Sequence, residues 1–348
     1  MDLTPIKTRG KRRRLDESPA ASSIKRVKTK PKSKRDAKPT LEAKVSILEK
    51  KLPLEVMEQI FWLSSNCNLP RASPLIGRLL SGRSTLQMIF IRAFEPTWDA
   101  EWDVHGMGTG RGIVGDPSFQ SEVLECSWAT IDLILECWVI FVRRRAQKYE
   151  AQKKTGEESL HFFHWVSSLD RNFTKSERVN CLLNPQKMTQ LFHGDYAAFR
   201  RAEHQETPEP SGHPFLIEPL MTSYIHVHRY TRIPDSLFAP PWNEDSLQKL
   251  FWLLRSGAQL ADDQTWELTL QAFHHAVPLE LPDNGQVNLT IVRMLALLEV
   301  FEEWPKHILS QERSRIDHSS MPIEGGWKKY ILLKLEGRDA SNPSPYPR

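Results

Sequence analysis

The residues of this 348-residue chain whose types and spacing could do chemistry are few: four cysteines, some paired histidines and one glycine-rich run. Cys67, Cys126, Cys137 and Cys181 contain no Cys-x-x-Cys pair and have no histidine at zinc-finger distance, so no sequence-local metal site is expected. Cys126 and Cys137 stand eleven positions apart. On one helix that is about three turns, or ~16 Å, too far for a disulfide, so they read as core thiols. His226 and His228 alternate but lack further ligands nearby, and His274-His275 has no partner at a catalytic spacing; packed or surface histidines are the expectation. The alternating glycines Gly106, Gly108, Gly110 and Gly112 invite a phosphate-cradle reading. No strand pattern precedes them and no Gly-Lys-Ser/Thr opens a helix after them, so they read as a loop. No GxSxG, HExxH, DxDxDG, Walker or Rossmann pattern occurs. The expectation is a non-enzymatic chain with no catalytic residues, no metal and no cofactor.

Charge is distributed unevenly among the elements that would hold any site. Residues 1–51 carry 17 Lys/Arg against 6 acids, a net +11, while the remainder carries 30 bases and 37 acids, a net −7. The pI of about 8.8 therefore comes from the N-terminal stretch, and a nucleic-acid reading of the whole chain would mislead. Residues 1–40, rich in Lys, Arg, Ser, Pro and Ala, bury too little apolar surface to offset the entropy of ordering, so a disordered basic tail is expected. Within it, Lys11-Arg12-Arg13-Arg14 and Lys25-Arg26-Val27-Lys28-Thr29-Lys30 are separated by a ten-residue spacer. The pair resembles a bipartite nuclear-import signal, which implies an importin-type receptor and a nuclear location; the alternative is a solvated tail that binds nucleic acid non-specifically. The charged start lacks the apolar run of a secretory signal, and the cysteines are expected as free thiols.

The most informative stretch is residues 52–94, led in by a short amphipathic approach at 41–51. Pro53 suits the first turn of a helix. Val56, Ile60 and Leu63 then recur at i, i+4, i+7, with Met57 and Phe61 widening the stripe. Pro70 and Pro74 bracket a turn into a second short helix with Leu75, Leu79 and Leu80, and Gly82 stops it. A third helix at 84–94 carries Leu86, Ile89, Phe90 and Ala93. Three short helices with one apolar face each predict a small bundle over residues 41–95.

Leu52-Pro53-x-Glu55, then Ile60-Phe61, then Leu69-x-x-Ala72-Ser73, Leu79-Leu80-Ser81 and Leu86, is similar to an F-box, and the run NLPRASPLIGRLLS looks like a variant found in fungal F-box proteins. That resemblance implies a helical module that docks a Skp-type adaptor and through it a cullin ubiquitin ligase. Leu52, Pro53, Glu55, Val56, Ile60, Phe61 and Leu63 would form or support the adaptor face. The middle departs from the family pattern: the charged or Cys-containing turn and the late Trp are absent, and Pro74 is expected to interrupt the second helix.

Beyond it, residues 96–120 read as a polar loop and 121–336 as a helical body, with a fraying tail at 337–348. A long helix is expected at 121–154, ending in Arg143-Arg144-Arg145; its apolar window at 131–142 is too short and too charged to span a bilayer, so no membrane span is expected. Further helices are expected at 185–201, 244–255 (stopped by Gly257), 264–276 (capped by Asp262 or Asp263) and 287–301. Residues 214–230 fit a strand or a helix, and 327–335 a helix or an edge strand. The phrase KLFWLLRSGAQL at 249–260 resembles the second helix and turn of an ankyrin-type repeat, without the full consensus; a degenerate repeat and a plain helical bundle both remain open. The expected fold class is all-α. The expected function is a nuclear, non-enzymatic substrate receptor of a cullin-type ligase with an unknown protein substrate. The alternative is a nuclear scaffold whose basic tail binds nucleic acid.

Overall fold

The computed structural model describes residues 51–103, 114–154, 185–201, 227–278, 287–318 and 325–336. The tail with both basic clusters, the run Gly106 to Gly112, Cys181, His226 and the C-terminal tail lie outside the described residues. The described residues fall within one compact unit. The fold is all-α, with no strand among the described residues.

Among the described residues twelve α-helices follow in chain order: α1 (Leu54–Ser64), α2 (Pro74–Leu79), α3 (Arg83–Asp103), α4 (Pro117–Glu125), α5 (Ile131–Lys154), α6 (Pro185–Arg201), α7 (Glu244–Arg255), α8 (Trp266–Ala276), α9 (Leu289–Leu297), α10 (Val300–Glu303), α11 (Lys306–His318) and α12 (Gly325–Leu335). Short 3₁₀ turns stand at Leu69–Arg71 and Asp235–Phe238. The stretch 327–335 is thus helical, and 185–201 and 244–255 begin and end where their residue patterns place them.

Three expected helices have other bounds. The third helix does not stop at residue 94 but runs on through Pro96 to Asp103, so the polar loop expected from residue 96 begins as helix. Phe90, Phe94, Thr97 and Trp98 are all buried at one helical face, and Pro96 sits on the exposed side. Burying Trp98 and stacking Phe90 on Phe94 at 4.4 Å offsets a proline cost of about 3 kcal/mol. The helix expected at 121–154 is two helices. Asp116 caps α4, accepting from the Ser118 and Phe119 amides at 3.0 and 3.1 Å. The chain then turns at Cys126 to Thr130 before α5. Likewise 287–301 breaks at Glu299, whose φ of 56° separates α9 from α10.

The core is aromatic. Trp98 meets Trp138 edge-on at 5.3 Å and Phe141 at 5.2 Å, and Phe94 meets Trp252 at 6.2 Å, so α3, α5 and α7 share one stack. Gly257, at φ 79°, ends α7 as expected; the Gly257 amide donates to the Leu254 carbonyl and the Ala258 amide to Leu253. The ankyrin-like phrase therefore forms a helix and turn, but α7 packs chiefly on α9 and α5 rather than on α8, unlike a hairpin of consecutive helices. The expected aspartate cap of α8 does not form: Thr265 is its N-cap, and Asp263 pairs with Arg232 instead.

Candidate docking face on the first helix

The helix α1 begins where Pro53 stands in extended backbone at its N-cap, and Ser65 ends it in the left-handed region at φ 49°. Its rotation is set by two of its side chains one turn apart. Trp62 Nε1 donates to the Thr85 carbonyl at 3.3 Å, and the Thr85 hydroxyl donates to the Glu58 carboxylate. Thr85 itself is buried at the start of α3. Met57 and Phe61 turn inward, with Phe61 fully buried; at roughly 1.5–3 kcal/mol for each large apolar side chain, these two anchor α1 on α3.

That rotation leaves an apolar ridge in solvent. Val56, Ile60 and Leu63 are 37%, 41% and 70% exposed, and at 100° per residue they fall within about 60° of arc. Pro53 and Glu55 are exposed beside the helix start, and Leu54 is 40% exposed on another side of the first turn. Leu52 is half-buried against the core. Of the seven residues placed on the adaptor face from sequence, Pro53, Glu55, Val56, Ile60 and Leu63 are thus surface groups. Phe61 is buried and can support that face only from beneath. The period-3.6 stripe read as one apolar face is two faces, Met57 and Phe61 on one, Val56, Ile60 and Leu63 on the other.

Behind α1 the turn region is built by local caps. Asn66 Oδ1 accepts the Asn68 amide at 2.9 Å, and Ser73 Oγ accepts the Ile76 amide at 3.2 Å as the N-cap of α2, so Pro74 starts this helix rather than interrupting it. Gly77 lies against the Pro70 carbonyl, where a Cβ would stand 2.8 Å from the oxygen; a larger residue would push the 3₁₀ turn off α2. Arg83, at the start of α3, forms a two-pronged bond to Glu136 on α5 at 2.8 and 2.6 Å, joined by Gln87 at 2.9 Å. The Arg83 guanidinium holds the Glu136 carboxyl below its usual range. The bundle is therefore bolted to the body through α3.

A buried glutamine missed by the sequence reading organises the other end of α3. Gln120 Nε2 donates to the Ala93 carbonyl at 3.1 Å and to Thr97 Oγ1 at 2.8 Å; its Oε1 accepts the His228 amide at 2.9 Å and the Thr231 hydroxyl at 2.8 Å. His228 is buried here, as a packed histidine. No group of three or more His, Cys, Asp or Glu among the described residues is arranged to hold a metal ion, and no described helix is long and apolar enough to cross a membrane. Comparison with protein-family models, curated proteins and solved structures found no match to this chain.

Proposed function

We propose that the chain is a substrate-receptor subunit of a cullin-type ubiquitin ligase that docks a Skp-type adaptor through α1. The observation that carries this reading is the division of α1 into a buried face, Met57 and Phe61, and a bare apolar ridge, Val56, Ile60 and Leu63. A solvent-facing ridge of branched side chains costs hydration free energy unless a partner covers it, and interfaces draw their energy from such clustered anchors. The F-box-like spacing from Leu52 to Leu86 names the partner class. The reading gives the chain no catalytic step: the substrate would be held by the helical body, and the ligase chemistry supplied by the partner complex. Nuclear entry would rest on Lys11 to Arg14 and on Lys25, Arg26, Lys28 and Lys30, read by an importin-type receptor.

The experiment is an adaptor pull-down with an Ile60→Glu, Leu63→Glu double variant. Capture by the wild type and loss by the variant, with an unchanged melting temperature, supports the assignment. Equal capture by both, or none by the wild type, removes it.

A second reading is favoured by the continuity of α3 from the bundle into the aromatic core through Trp98. There the bundle is the N-terminal part of a nuclear scaffold, and the basic tail holds nucleic acid. Deleting residues 1–40 separates the two: loss of salt-sensitive DNA or RNA binding supports the scaffold, and loss of nuclear entry alone supports the import signal.

A further inference from the structure

The turn between α2 and α3 carries a pattern that the docking face does not use. It reads Arg78-Leu79-Leu80-Ser81-Gly82-Arg83. Arg78, Ser81, Gly82 and Arg83 are all exposed, and the Ser81 hydroxyl donates to the Arg78 carbonyl at 2.8 Å. No other serine or threonine among the described residues has an arginine three positions before it. α2 contains no buried residue, so its last turn opens at far less cost than the core. An exposed hydroxyl three residues after a guanidinium, in a segment this lightly packed, suits a basophilic protein kinase. The acidic groove of such an enzyme holds the guanidinium through charge-assisted hydrogen bonds.

We propose that Ser81 is a phosphorylation site for a kinase of that class, and that its phosphate draws Arg83 away from Glu136. The Ser81 hydroxyl oxygen attacks the γ-phosphorus of ATP. A new P–O bond forms as the bond to the β,γ-bridging oxygen breaks, ADP leaves, and the hydroxyl proton passes to the base of the kinase. Ser81 then carries a charge of about −2 at neutral pH. Arg83 is two residues further on, so its Cα lies within ~7 Å of that of Ser81. The two-pronged bond from Arg83 to Glu136 lies in solvent, where a dianion competes well for one guanidinium. The Gly82 carbonyl accepts the Leu86 amide at 3.0 Å, so the phosphate also stands next to the positive end of α3. Phosphorylation thereby loosens the clasp that ties the start of α3 to α5. None of this depends on what α1 docks.

The test is incubation of the full-length protein with ATP, magnesium and the catalytic subunit of the cyclic-AMP-dependent kinase, a basophilic enzyme, followed by site-resolved phosphopeptide mapping. The expected result is phosphate on Ser81, added ~10-fold more slowly or worse in an Arg78→Ala variant. Phosphorylation of Ser81 should lower the melting temperature of the wild type by roughly 1–3 °C. It should lower that of Glu136→Gln by less, because the clasp is already weakened there. A Ser81→Ala variant subtracts the effect of phosphate placed elsewhere on the chain. The wild-type map decides the site even if a variant fails to fold. Ser81 left bare while other hydroxyls take phosphate, equal rates for wild type and Arg78→Ala, or equal melting shifts in wild type and Glu136→Gln overturns the proposal.

Discussion

Asp245 and Lys249 stand one turn apart on α7 and close the two helix ends that face each other across the turn at Cys126 to Thr130. Asp245 Oδ1 accepts the Ile131 amide at 3.0 Å, at the start of α5, and Lys249 Nζ donates to the Leu124 carbonyl at 2.5 Å, in the last turn of α4. An acid lies at the positive end of one helix and a base at the negative end of the other, as the dipoles require. The break between α4 and α5 is thus stabilised by a helix more than a hundred residues further on. Five outcomes follow from this and related arrangements.

Asp245→Ala should cost about 1 kcal/mol, the worth of an N-cap, because the Ile131 amide loses the carboxylate that accepts it, while Thr130 Oγ1 is turned to the Leu133 amide at 3.5 Å. Urea unfolding with an unchanged slope measures it. Asp245→Asn should retain most of the stability, since an amide oxygen still accepts.

Lys249 makes stability depend on pH in an unusual direction. Burial, opposed by Asp245, lowers its ammonium to about 8 from its ordinary 10.5. Below about pH 8 both the folded and the unfolded chain carry the proton, and the folded state bears the desolvation cost. Between about 8 and 10.5 the folded protein releases the proton while the unfolded chain keeps it, so the free energy of unfolding rises with pH. In denaturant titrations across pH 7.5 to 10.5, the stability of wild type relative to Lys249→Met should rise with pH, by roughly 1–3 kcal/mol in all. A constant difference would remove the buried ammonium from the account.

Phe61 and Leu63 lie two positions apart on α1 and should respond in opposite ways. Phe61→Ala empties a fully buried position and should cost about 3–5 kcal/mol in stability. Leu63→Ala, at 70% exposure, should change stability by no more than about 0.5 kcal/mol. Thermal melts of the two variants check the face assignment directly, before any partner is added.

Gln120→Leu should cost about 2–4 kcal/mol, because the His228 amide and the Thr231 hydroxyl lose their acceptor while buried. Hydrogen exchange should speed at the His228 amide before the core of α3 is affected. Gly115→Ala, in the same corner, meets two obstacles: φ is 121°, and a Cβ would stand 2.5 Å from Thr97 Oγ1. It should destabilise by at least about 1 kcal/mol.

The sequence alone determined that the fold is helical and where most helices lie. Apolar spacing of 3.6 residues, capping residues and Gly257 are local signals, and local hydrogen bonding obeys them: α6 and α7 match their patterns at both ends. It also determined the apolar character of Val56, Ile60 and Leu63. Tertiary structure alone decided which way α1 turns. Met57, Phe61, Val56 and Ile60 are similarly apolar, and packing on α3, with Thr85 bonding both Glu58 and Trp62, puts the first pair in the core. It also carried α3 through Pro96, because the burial of Trp98 outweighs a lost backbone bond. It brought Asp245 to the Ile131 amide, residues whose chain separation says nothing of their distance. Each of these outcomes depends on contacts between elements far apart in sequence, and such contacts leave no mark on the spacing of neighbouring residues.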